Sequence, residues 1–152
     1  MPQLRYELDM AGAFAGMKAD LAPDYRISRA AETAVAFGLG VEAGTDPNKE
    51  CVPFAGGTFL GMSVHTHKED GQYNVGDSVA VVRTGAFYVA LEATTNVESG
   101  AVVYCNDTTG KFQVAATGGT LVANASFLSG PVAASGLTAA SNTENVAVVQ
   151  FK

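Results

Sequence analysis

His65 and His67 are the only histidines in the chain, and in an extended segment residues two apart point to one face, as two neighbouring metal ligands would. Zinc takes three or four protein ligands, and only Glu69 and Asp70 lie close enough in sequence to complete a set. The plainer reading is a pair of loop histidines flanking a turn. Asn106-Asp107-Thr108 is oxygen-rich, but the Gly and distal Glu of a calcium loop are missing and turn chemistry accounts for it. Gly38-Leu39-Gly40 and Gly56-Gly57 have neither the lysine nor the strand-to-helix setting of a phosphate loop. No serine sits in an elbow motif, and Cys51 and Cys105 lack the flanks of a thiol protease. Both read as small buried hydrophobes. Asp46, Glu50, Asp70, Asp77, Glu92 and Glu98 lie in or beside loops, where solvated carboxylates are the ordinary case. No enzymatic activity, cofactor or metal is expected.

The elements that would carry these residues belong to one domain. With 152 residues, a folded chain buries roughly 68–70% of the surface it would otherwise expose, enough for a sizeable core. Charged residues make up 16%, and the net charge of −6 includes nine basic residues that form no cluster. A nucleic-acid partner would need such a cluster, so none is expected. No apolar run approaches the roughly 20 residues of a membrane span, and no membrane association is expected. Asp9 and Asp20 interrupt the apolar start, which therefore does not read as a secretory signal. The expectation is synthesis in the host cytoplasm with both thiols reduced.

Residues 1–26 read as an N-terminal arm. Leu8, Ala11, Ala15 and Leu21 would fit a short helix, but Gly12 and Gly16 weaken it, and an extended arm fits equally, tucked onto its own core or laid on a neighbour. Residues 27–152 read as the body. Strand signals recur at Thr33–Val41, Cys51–Phe54, Thr58–His65, Ser78–Arg83, Ala86–Glu92, Ala101–Cys105, Phe112–Ala115, Leu121–Leu128 and Val146–Phe151. Residues 66–76 read as an exposed loop, and residues 129–145 as a Gly/Ala/Ser/Thr-rich excursion. The fold class is all-β, a small β-sandwich or partly closed β-barrel with an extended N-terminal arm.

The densest signal is Phe59–Glu92, where Thr84-Gly85 reads as a two-residue hairpin turn. Counting by twos from that turn puts Ala80, Val82, Phe87, Val89 and Leu91 on one face. Val79, Val81, Arg83, Tyr88, Ala90 and Glu92 fall on the other. The first is core. The second is half apolar, so a second sheet and either the arm or a partner chain should cover the hairpin on both sides.

The order MPQLRYELDMAGAFAGMKADLAP, AVAFGLGVEAG and FLGMSVHTHKEDGQYNVGDSVAVVRTGAFYVALE resembles the structural cement or head decoration proteins of tailed bacteriophages along nearly the whole chain. The resemblance implies a small β-rich, non-enzymatic virion protein on the outer capsid surface. Such a protein bridges neighbouring major capsid proteins and stabilises the expanded shell, itself as a dimer or trimer. The candidate partner-binding residues are then Leu4, Tyr6, Leu8, Met10, Phe14, Met17 and Leu21 of the arm, with Val81, Arg83, Tyr88 and Glu92 of the second hairpin face. The alternative is a β-sandwich receptor- or carbohydrate-binding module of a virion fibre or tail. Its aromatic platform would come from Tyr73, Tyr88 and Tyr104, since the chain has no Trp. A small hydrolase or metalloenzyme using His65 and His67 is a third reading.

Overall fold

A computed structural model describes residues 14–68, 70–92, 97–128, 132–133 and 145–152. Among them there is no helix. The strands are β1 (Tyr25–Ala31), β2 (Val35–Ala36), β3 (Gly40–Ala43), β4 (Glu50–Pro53), β5 (Phe59–Ser63), β6 (Gln72–Tyr73), β7 (Ser78–Ala90), β8 (Val102–Asn106), β9 (Phe112–Gln113), β10 (Gly119–Phe127), β11 (Val132–Ala133) and β12 (Asn145–Phe151).

Five of these strands close into a barrel, β1-β4-β3-β5-β7, with β7 pairing back onto β1. The one parallel step is β1 beside β4, with Ala31 opposite Cys51. From the barrel the sheet continues out of β7 through β12, β10, β8 and β9, and β11 pairs with β12. The short ribbon β2-β6 adds Val35 and Tyr73 to the barrel core. β6 lies within residues 66–76, expected to be an exposed loop. Two adjoining paired residues in a polar stretch leave too little alternation to be seen.

β7 is the member common to both parts, and here the structure corrects the hairpin. Thr84-Gly85 does not reverse the chain: β7 runs thirteen residues without a turn. Its first half pairs with β1 and β5, and its second half with β12, from Gly85 opposite Phe151 to Ala90 opposite Val146. Each half finds its backbone partners elsewhere, so neither needs the other. In place of the turn there is a bulge. Tyr25 faces Thr84 while Arg26 faces Val82, leaving Arg83 as the extra residue, and Gly85 follows with φ 124°. One extra residue inverts the side-chain alternation, as a two-residue turn would have done.

The face assignment therefore survives the loss of the turn. Val82, Phe87, Val89 and Leu91, with Ala80 at the margin, lie in one core with Phe54, Phe112, Phe127, Val149 and Phe151. That core fills the space between the barrel wall and the β12-β10-β8 sheet. Val79 and Val81 point the other way, into the barrel core with Ala31, Val41, Cys51 and Tyr73. Both thiols are free and buried, Cys51 in the barrel core and Cys105 in the other. Burial pushes the Cys105 thiol up to about 12. The Asn106 turn is built as its sequence predicts, with its side-chain oxygen accepting from the amides of Thr108 (2.8 Å) and Thr109 (3.0 Å).

Candidate partner-binding surfaces

The arm candidates divide. Leu4, Tyr6, Leu8 and Met10 lie outside the described residues. Residues 16–19 run antiparallel along β7 on the side opposite β12. The Gly16 amide donates to the Tyr88 carbonyl (2.7 Å), the Tyr88 amide to Met17 (2.8 Å), and the Ala19 amide to Ala86 (2.9 Å). The His65 amide donates to the Gly16 carbonyl (2.9 Å). Here glycine serves close approach. A Cβ on Gly16, at φ +85°, would stand 2.6 Å from the His65 nitrogen, and one on Gly38 would stand 2.6 Å from the Ala15 Cβ. A helix reading scores Gly16 as a weakness; the structure uses its missing side chain.

Phe14 and Met17 are half-buried against the body. Phe14 stacks on His65 with 5.3 Å between ring centres, and the Phe37 ring meets it tilted at 4.8 Å. His65 is thus a packing residue, with the His67 ring perpendicular to it at 6.3 Å. Past Ala19 the chain turns, with Lys18 Nζ donating to Asp24 Oδ1 (2.6 Å) and Arg26 pairing with the other carboxylate oxygen. These two cations hold the Asp24 carboxyl below its ordinary range. Leu21, at the tip, is fully exposed.

Burial, and secondarily the charge of His67, holds the His65 imidazole below its ordinary value of 6.5. The neutral ring is the form that fits against Phe14 and Phe37. The folded value lies below the unfolded one, so docking is at full strength above the ordinary range and weakens as pH falls through the folded value. The protection of the Gly16, Ala19 and Tyr88 amides against hydrogen exchange, taken relative to the intrinsic rate at each pH, is expected to fall between neutral and mildly acid pH. In His65→Phe that fall should be absent; pH-independent protection in the native chain would contradict this role.

The second-face candidates are mostly occupied by the chain itself. Val81 is completely buried in the barrel core, which corrects its expected place on an outward surface: the barrel wall that closes over β7 covers it. Tyr88 is half-buried and packs with Ala15 against Val146. Glu92 accepts a hydrogen bond from the Thr109 hydroxyl and so braces the β8–β9 turn. Arg83, on the bulge, is exposed.

Sequence reasoning missed the outer side of β8 and β10. Leu121 stands opposite Tyr104, and Val102 shares their face two residues along β8. Val102 is 51% exposed and Leu121 53%, and Tyr104 is half-buried. Strands β8, β10 and β12 contain no Asp, Glu, Lys or Arg, in a chain whose net charge is −6. The signal was available, since Val103 and Cys105 as core residues put Val102 and Tyr104 outside by parity. A sugar platform is not assembled: Tyr73 is buried and donates to the Val64 carbonyl (2.6 Å).

Residues 1–151 match the family model described as structural cement protein (E217 gp24/Pam3 gp6). The chain belongs to the structural cement protein family. A chain from the solved capsid of Myoviridae phage XM1 has the same fold, with a TM-score of 0.74 and 16% identity over 97% of this chain and 94% of that one. No curated protein matches the sequence. The role is that of a capsid cement protein, associated with the shell and located in the virion.

Proposed function

We propose that this cement protein sits on the outer face of the assembled head, bridges neighbouring major capsid proteins and stabilises the expanded shell, without catalysing a reaction. The observation that carries this reading is the uncharged face of Val102, Tyr104 and Leu121 on an otherwise acidic body. A contiguous exposed apolar patch on a soluble domain marks an interaction site, and the absence of charge removes the desolvation cost of seating it on protein. Binding one state of the shell stabilises that state by linkage. Contacts repeated over a lattice, with copies joined as dimers or trimers, let individually weak interfaces hold. Leu4, Tyr6, Leu8 and Met10 would add contacts beyond the body, while residues 14–26 anchor them to it.

Co-sedimentation with expanded heads stripped of decoration tests the proposal. The native chain should pellet with the heads to a saturable stoichiometry. Val102→Glu with Tyr104→Glu should weaken binding at least about tenfold, as expected for about 1.4 kcal/mol or more lost on burying charge. Deleting residues 1–13 should also weaken it while the melting transition stays in place. Failure of the native chain to pellet, or undiminished binding by the double variant, would refute the reading.

A further inference from the structure

Where β7 passes from barrel to sheet, the two parts splay and leave a groove. The pairing of β5 with β7 runs from Ser63 opposite Val81 to Met62 opposite Val82 and stops there, although β5 begins at Phe59. On the far side, β10 stays bonded to the end of β12 as far as Asn124, whose carbonyl accepts from the Lys152 amide (2.8 Å), although β10 begins at Gly119. Two strand edges therefore face a common space of about 300 Å³, lined by Phe59, Gly61, Arg83, Leu121, Phe151 and Lys152 among others. The Phe59 and Phe151 rings stack at 6.5 Å, and the lining is mixed, with Leu121 and Ala123 beside Arg83, Asn124 and Lys152. Free strand edges beside such a lining are what an added extended segment uses: the backbone binds the edge and alternate side chains enter the groove.

The groove also has a sign. Arg83 and Lys152 are both exposed, and neither has an acidic partner among the described residues, whereas Lys18, Arg26, Lys49 and Lys68 each pair with an aspartate. Two unpaired cations within a mixed lining suit a segment that carries both apolar and acidic residues. Leu4-Arg5-Tyr6-Glu7-Leu8-Asp9-Met10 alternates apolar and charged residues strictly, with Leu4, Tyr6, Leu8 and Met10 on one parity and Arg5, Glu7 and Asp9 on the other, two of the three acidic, the pattern of a half-buried strand.

We propose that the groove binds residues 4–10 of a second copy of this chain, added as an extended strand with its apolar side chains inward and Glu7 and Asp9 beside Arg83 and Lys152. A second copy is favoured over the same chain by direction. Gly16 bonds at Tyr88 and Ala19 at Ala86, so the chain enters from the Ala90 end of β7, about seven strand residues or roughly 23 Å from Arg83. Phe14, where the described chain begins, thus stands at the end of β7 remote from its own groove. The inference deepens the cement reading by naming what the arm binds, but its test needs no capsid.

Leu8→Cys in one full-length chain and Ala123→Cys in another are mixed at about 1 mM, the order of local concentration that a lattice provides, and oxidised. The native Cys51 and Cys105 are buried and stay out of the reaction. The expected result is a disulfide-linked heterodimer joined through positions 8 and 123. Its yield should fall roughly tenfold with Arg83→Glu and Lys152→Glu in the groove chain, and return when the arm chain carries Glu7→Lys and Asp9→Lys. A yield no higher than with Val75→Cys, which is exposed elsewhere, would overturn the proposal. So would closure of the same link within a single chain carrying both cysteines. Capsid binding in either case would leave the cement reading standing.

Discussion

Gly61→Val is expected to lower the melting temperature by about 6–12 °C, from a loss of about 3 kcal/mol at the upper end of overpacking costs. Gly61 lies in β5 opposite Val41 of β3, one residue before Met62 pairs with Val82 of β7. A Cβ placed there would stand 2.2 Å from the Val82 carbonyl oxygen and 2.8 Å from Val81 Cγ1. The carbonyl is backbone and cannot rotate away, so β5 must move off β7. That seam is one of the five that close the barrel. Gly61→Ala already meets the clash and should show a smaller loss of the same kind. A thermal melt followed by circular dichroism reads the effect, and a valine variant melting within about 2 °C of the native chain would contradict the close approach.

Phe87→Ala is the second large effect, with an expected loss of about 3–5 kcal/mol for emptying a fully buried phenylalanine site. In melting temperature this is on the order of 6–20 °C. Phe87 is fully buried just beyond Gly85, where β7 leaves the barrel, and its ring also lies under the Arg26 guanidinium at 5.4 Å. Its neighbour Tyr88 is only half-buried beneath Ala15. Tyr88→Ala should therefore cost less than half as much, and equal losses at the two positions would mean that the bulge does not set the alternation described above.

What could be read from the sequence follows from how far away the deciding partner sits. The strand character of residues 78–90, the two faces of that stretch and the burial of both cysteines are local properties, visible as alternation and composition. Whether Thr84-Gly85 reverses the chain is decided by β1 and β12, each more than fifty residues from it along the chain. A glycine at positive φ after a polar residue looks the same in a hairpin turn and beside a bulge. The faces came out right because both devices shift parity by one. Gly16 was opaque for a related reason: its role lies in meeting His65 and Gly38. The candidate surface was half legible. Strands β8 and β10 were visible, and their lack of charge needed only counting, but that their outer faces stay uncovered depends on where the sheet ends. Val81 misled because a half-apolar face suggests a partner, and the barrel is the chain's own.

If the two-core body clamps the shell, the temperature at which filled heads release DNA should differ with and without the protein bound. Decorated heads should release at a higher temperature, by an increment that saturates when binding does and shrinks for Val102→Glu with Tyr104→Glu. Release at the same temperature at full occupancy would contradict the account.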